Sequence, residues 1–136
     1  MKKSLAVALA AAIALVAVGA FALANAAPGD VEAGRRTVEA PIDELDVLVR
    51  ESHPPQVALR LVAGLPSGCA EPHSHSVTRT GDTITVKVLN SLPTGDPICT
   101  MIYGTYDLTV ELGSDFVAGT TYTVQVNDRT TTFTLR

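Results

Sequence analysis

Tryptophan is missing from this chain, and other aromatic residues are few: three Tyr and three Phe among 136 residues. A sugar-binding surface ordinarily offers exposed flat rings, so the scarcity argues against a lectin. Cysteine is limited to Cys69 and Cys99, and the Cys-x-x-Cys spacing of redox pairs is absent. There is no Gly-rich phosphate loop and no Gly-x-Ser-x-Gly elbow. Lys and Arg are scattered apart from Lys2-Lys3 and Arg35-Arg36, and 14 acidic residues outweigh 10 basic ones. That balance disfavours nucleic acid and anionic membrane surfaces as partners. The carboxylates fall mostly on outward strand positions or in turns such as Asp82, Asp96 and Asp128, which are usual places for solvated Asp. With no nucleophile in an activating context, the chain reads as a non-enzyme without a cofactor.

What is present begins with a compartment label. Lys2 and Lys3 precede an uncharged run from Leu5 to Leu23, which closes on Ala24-Asn25-Ala26 and then Ala27-Pro28-Gly29-Asp30. A positive start, an apolar stretch and a small-x-small ending form the layout of a bacterial-type secretory signal peptide over residues 1–26. The competing reading is a retained anchor, since the run only just reaches spanning length. No Cys stands at the end of the run, so the lipid-modified Cys of a bacterial lipoprotein is missing. Cleavage after Ala26 would leave 110 residues, a size that suits one domain. It also removes Lys2 and Lys3 and leaves a more acidic product, expected to be exported to the periplasm, cell surface or medium as a soluble monomer.

Residues 27–41 carry Pro, Gly, Arg and Glu without hydrophobic period and read as a flexible leader. From residue 42 to 136 the chain alternates. Leu45, Val47 and Val49 form one apolar set; Val57, Leu59 and Leu61 a second; Ile84, Val86 and Val88 a third. Tyr106, Leu108, Val110 and Leu112 follow, then Tyr122, Val124 and Val126, then Phe133 and Leu135. Period two with β-branched residues predicts half-buried strands, and Gly, Pro, Asn and Asp punctuate them. Asn127-Asp128 fits a two-residue hairpin loop that pairs Val124 with Thr131 and Tyr122 with Phe133. The short crossover from Gly113 to Thr121 followed by Tyr122 resembles the tyrosine corner of immunoglobulin-like sandwiches, besides placing a core Tyr next to Phe133. The expected fold is all-β: an immunoglobulin-like antiparallel β-sandwich of about seven strands.

An exported chain with an even Cys count predicts a Cys69–Cys99 disulfide, tying two loop ends rather than crossing the sandwich. Metal binding hangs on three histidines. His73 and His75 lie two apart in a strand-like stretch, with His53 in a nearby loop and Met101 just past Cys99, a set that suits copper or zinc. The Thr80-Gly81-Asp82 turn decides where the rings point. A two- or four-residue loop puts Val77 opposite Val86 and turns both rings inward; a three-residue loop pairs Thr78 with Ile84 and turns them out. Two His without a third positioned ligand also read as ordinary strand residues.

Gly64-Leu65-Pro66-Ser67-Gly68-Cys69, Arg79-Thr80-Gly81-Asp82-Thr83-Ile84-Thr85-Val86, Cys99-Thr100 and the stretch Gly119 to Asp128 occur in an order with a family likeness. From Ile42 to Leu135 the chain resembles small exported bacterial immunoglobulin-like domains with paired Cys and a Gly-x-x-Tyr-x-Val-x-Val-Asn ending. The resemblance implies a disulfide-bonded β-sandwich of unassigned activity and carries over no catalytic or ligand residue. The expectation is a binding or structural module at the cell envelope, its partner an unknown protein or envelope component. A protease-inhibitor-like domain using loops 64–69 and 92–99 is the second expectation, and copper or zinc binding through His73 and His75 the third.

Overall fold

The computed structural model describes residues 34–95 and 97–136. The expected signal peptide therefore lies outside the described residues, as does Asp96. Eight strands follow in order: β1 (Arg35–Glu39), β2 (Ile42–Arg50), β3 (Gln56–Leu65), β4 (Glu71–Thr80), β5 (Thr83–Pro93), β6 (Gly104–Gly113), β7 (Thr121–Val126) and β8 (Arg129–Thr134). They form a five-stranded sheet around β5 and a three-stranded sheet in the order β2-β3-β6. The β-sandwich expected from the alternating pattern is present. Among the described residues, no helix is long and apolar enough to cross a membrane.

The core is built from the apolar sets that the alternation marks. Leu59, Leu61, Val86, Val124 and Val126 are fully buried, with Ile84, Val88, Val110 and Tyr122 close to it. Each such side chain contributes about 1.5–3 kcal/mol by leaving water. Phe116 closes one end of this core. Its ring meets Tyr122 edge-on at 5.0 Å and Phe133 at 5.2 Å, while Tyr122 stacks on Phe133 at 5.3 Å. The Tyr122 hydroxyl turns back onto the crossover and accepts a 2.7 Å hydrogen bond from the Val117 N–H. Tyr122 also pairs across the hairpin with Phe133, and Val124 with Thr131, the register of a two-residue Asn127-Asp128 turn. Asn127 takes the left-handed φ of 50° that such a turn requires and that Asn tolerates.

Three features depart from expectation. The leader read over residues 27–41 contains β1, which pairs antiparallel with β5 from Glu39↔Leu89 to Arg35↔Pro93. Its partner makes it a strand. β7 covers only Thr83–Val86 on one edge of β5, and β1 takes the remainder of the same edge. Where the two meet, the Asn127 side chain completes the ladder. Its Oδ1 accepts the Val88 N–H at 2.9 Å, and its Nδ2 donates to Ala40 O at 2.7 Å and Val88 O at 3.0 Å. Secondly, β7 runs parallel to β5, so the larger sheet is mixed rather than wholly antiparallel. Thirdly, there are eight strands among the described residues, because β1 adds to the alternating set.

The β4–β5 turn settles the histidine question. Gly81 and Asp82 form a two-residue loop between Thr80 and Thr83, and Val77 faces Val86. His75 consequently sits opposite Val88 on the core-facing side. A register shift between Pro72 and Ser74 leaves His73 in a bulge, so the two histidines do not share a simple alternation. Every residue of β4 is exposed, because this edge strand has β5 as its one neighbour in the sheet.

Candidate functional site

The pole of the sandwich at the C-terminal end of β5 gathers the residues with functional promise. Two connections meet there, Pro66–Ala70 between β3 and β4 and the longer stretch between β5 and β6. Cys69 and Cys99 join them by a disulfide with their Cα atoms 5.5 Å apart. The Gly68 N–H donates to Thr100 O at 2.8 Å, and a Cβ on Gly68 would overlap the Thr100 hydroxyl. Glycine is what lets the two backbones approach.

Arg35 of β1 braces the same junction. Its guanidinium donates to Cys69 O at 3.0 Å, to Ser91 Oγ at 2.6 Å and to Ser91 O at 3.1 Å, with Glu71 at 3.4 Å. At the far end of the β5–β6 loop, the Tyr103 hydroxyl donates to the Asp43 carboxylate at 2.8 and 2.9 Å. That bond, with some desolvation and the Asp43 charge, holds the Tyr103 phenol above its ordinary pKa of 10.0. The loop is thus fastened at Cys99, Thr100 and Tyr103.

Beside and between those fastenings, Ile98 just before Cys99 and Met101 and Ile102 after Thr100 are exposed. Ile98 is fully exposed, Met101 is 88% exposed and Ile102 71% exposed. Large apolar side chains clustered on a pinned loop mark an interaction surface more often than scattered ones do. Loops 64–69 and 92–99 are partly strand: Gly64 and Leu65 close β3, and Leu92 and Pro93 close β5. The exposed apolar residues extend beyond them to Met101 and Ile102. An unalternating Ile-Cys-Thr-Met-Ile run after Pro97 was the available sequence signal.

The three histidines form no common site. His73 and His75 line a shallow cleft of about 100 Å³ together with Val88, Tyr106 and Leu108. His53 sits in the β2–β3 connection, before Gln56, whereas Tyr106 lies opposite Ala63. Seven residues of strand separate those levels, about 23 Å. No group of three or more His, Cys, Asp or Glu suited to a metal occurs among the described residues. The three-histidine site is corrected accordingly, and Met101 stands on the exposed loop instead of in the cleft.

Beneath the cleft lies a polar pair that the sequence did not advertise. Asn90 is fully buried, donates to Gly64 O at 2.8 Å and accepts from the Tyr106 hydroxyl at 2.8 Å. Burial holds the Tyr106 phenol above its ordinary pKa. The pair connects β5 to β3 and β6 across the sandwich, close to the ground on which Tyr103 rests.

Comparison with curated proteins and with solved structures found no match. A family model does match, beginning inside β3 and running through β8, so it spans the disulfide, the β4–β5 hairpin and the crossover that bonds Tyr122. By that match over residues 59–135, the chain belongs to the ORF11 beta-sandwich domain family.

Proposed function

We propose that this chain is an exported, non-enzymatic binding module of the bacterial cell envelope that engages its partner through the disulfide-anchored β5–β6 loop. The observation that carries this reading is the exposure of Ile98, Met101 and Ile102 on a backbone fastened at Cys99, Thr100 and Tyr103. Burying such side chains against a partner releases about 25 cal/mol per Å² of apolar surface. A loop that is already ordered loses little entropy on binding. The disulfide suits an oxidising compartment, in keeping with the signal-peptide layout. Catalysis has little support: the His73 ring contacts Ser74 Oγ at 2.8 Å, yet no carboxylate joins that pair in a hydrogen bond among the described residues.

A second reading is favoured by one feature of the same loop. Ile98 stands exposed immediately before a disulfide-held cysteine, a placement suited to occupying a protease pocket.

The test uses crosslinking in envelope preparations with the native chain and with Ile98→Ser/Met101→Ser/Ile102→Ser. A defined partner crosslinked by the native chain and lost with the variant is the expected result. A partner crosslinked equally by both would overturn the loop as the binding element. A panel of serine and cysteine proteases separates the second reading, which requires inhibition by the native chain that the variant lacks.

A further inference from the structure

We propose that the partner presents a basic segment with apolar anchors, its apolar residues covering the β5–β6 loop and its Lys or Arg residues covering an acidic strip along β2. This inference rests on the loop-binding reading above and adds the chemistry of the occupant.

The strip follows from register. Tyr103 occupies the space beside Gly64, and Val62 and Arg60 share that outer face of β3 by strand alternation. Cross-strand pairing sets Glu44 against Val62 and Asp46 against Arg60. On the other side of β3, Asp107 faces Val62 and Glu111 faces Ala58. With Asp43 held by Tyr103, five carboxylates meet two guanidiniums, Arg50 and Arg60, on this face.

Both guanidiniums are engaged elsewhere on it. Arg50 bonds Glu111 through two contacts of 2.8 and 2.9 Å, and Arg60 lies 3.6 Å from Asp107. Asp43, Glu44 and Asp46 form no ion pair among the described residues, and all three are exposed. The Tyr103–Asp43 bond draws this strip against the end of the loop that carries Ile102 and Met101. Apolar contact and uncompensated negative charge therefore adjoin, and charge complementarity selects a cationic occupant.

The β4 edge offers no equal alternative. Pro72 and the His73 bulge interrupt β4, and Arg79 folds its guanidinium over the Phe116 ring at 4.7 Å.

Fluorescence anisotropy with three synthetic peptides of equal length tests the proposal: one alternating Lys with Ile and Leu, one with Glu in place of Lys, and one with Ser in place of Ile and Leu. The first peptide should bind, weakening several-fold when salt rises from about 50 to about 200 mM. The Glu peptide should not bind. Glu44→Gln/Asp46→Asn leaves the Tyr103–Asp43 anchor in place and should weaken the first peptide by roughly fivefold to tenfold. Equal binding of the Lys and Glu apolar peptides, or binding untouched by the Glu44/Asp46 change, would overturn the basic-partner inference and leave the loop reading standing. Loss of neither apolar peptide's binding in Ile98→Ser/Ile102→Ser, or a Lys-Ser peptide binding as tightly as the first, would instead overturn the loop reading. Circular dichroism of each variant confirms that it is folded.

Discussion

Tyr103 fills the space that any side chain on Gly64 would need, because a Cβ there would overlap the phenol oxygen. The contact seats the tyrosine on β3 and lets its hydroxyl reach Asp43 on β2. One missing methyl group thereby helps to fix a loop 39 residues further along the chain.

Gly64→Ala should push the ring off its seat and let the Tyr103 phenol titrate closer to 10.0, as should Asp43→Asn. Ultraviolet absorbance of tyrosinate during an alkaline titration reads this directly. The sign of the linked stability follows from the raised pKa. The native state keeps the phenolic proton longer than the unfolded chain, so the contribution is complete below pH 10.0 and is lost as pH climbs through the raised value. Tyr103→Phe should flatten that alkaline loss; an unchanged profile would show that the bond to Asp43 has no such role.

Removing the bridge with Cys69→Ser/Cys99→Ser releases a crosslink between residues 30 apart, and thermal or urea unfolding should show a loss of about 3–4 kcal/mol. Limited proteolysis should then cut first between Pro97 and Tyr103. A variant that keeps native protease resistance there would mean that Thr100 and Tyr103 suffice to hold the loop.

Asn90→Leu preserves bulk but leaves Gly64 O and the Tyr106 hydroxyl without their buried partner. The expected cost is about 2–3 kcal/mol in chemical denaturation. A double-mutant cycle with Tyr106→Phe should show coupling between the two positions; additive losses would argue that the hydrogen bond contributes nothing beyond its separate groups.

Asn127→Gly retains the backbone conformation of the turn and deletes the side chain that ties Ala40, just past β1, to Val88 of β5. It should cost about 2 kcal/mol, and the Val88 amide should exchange with solvent much faster while amides in the middle of β3 are unaffected. Equal exchange at Val88 in both proteins would contradict the bridging role.

The sequence was legible wherever a residue's partner could be inferred from its own neighbours. Val57, Leu59 and Leu61 declare a buried face by alternation alone, and Asn127-Asp128 declares both a turn and the register of Tyr122 against Phe133. Arg35–Glu39 has no such pattern, since its strand character comes from an unfilled edge of β5 some 50 residues away. The parallel pairing of β5 with β7 is equally non-local. Residue spacing puts His73 and His75 on one face, and both line one cleft despite the bulge at His73, but only the tertiary fold separates them from His53. For the candidate site, Cys69 and Cys99 were visible in the sequence. The outward set of Ile98, Met101 and Ile102 was not, because apolar residues in a loop look the same whether they pack inward or face solvent.

The way β1 and β7 share one edge of β5 has a mechanical consequence. Gly34 lies beside Thr94 at one pole, where its carbonyl accepts the Thr94 N–H at 2.8 Å. The chain leaves β8 at the opposite pole, where Leu135 O accepts the Gly119 N–H at 2.8 Å. A pull between these two points runs along the strand axis and strains the five β1–β5 pairs simultaneously, in shear, instead of unzipping them one after another. The short splint at the start of the domain is therefore oriented to resist tension applied between Gly34 and Leu135.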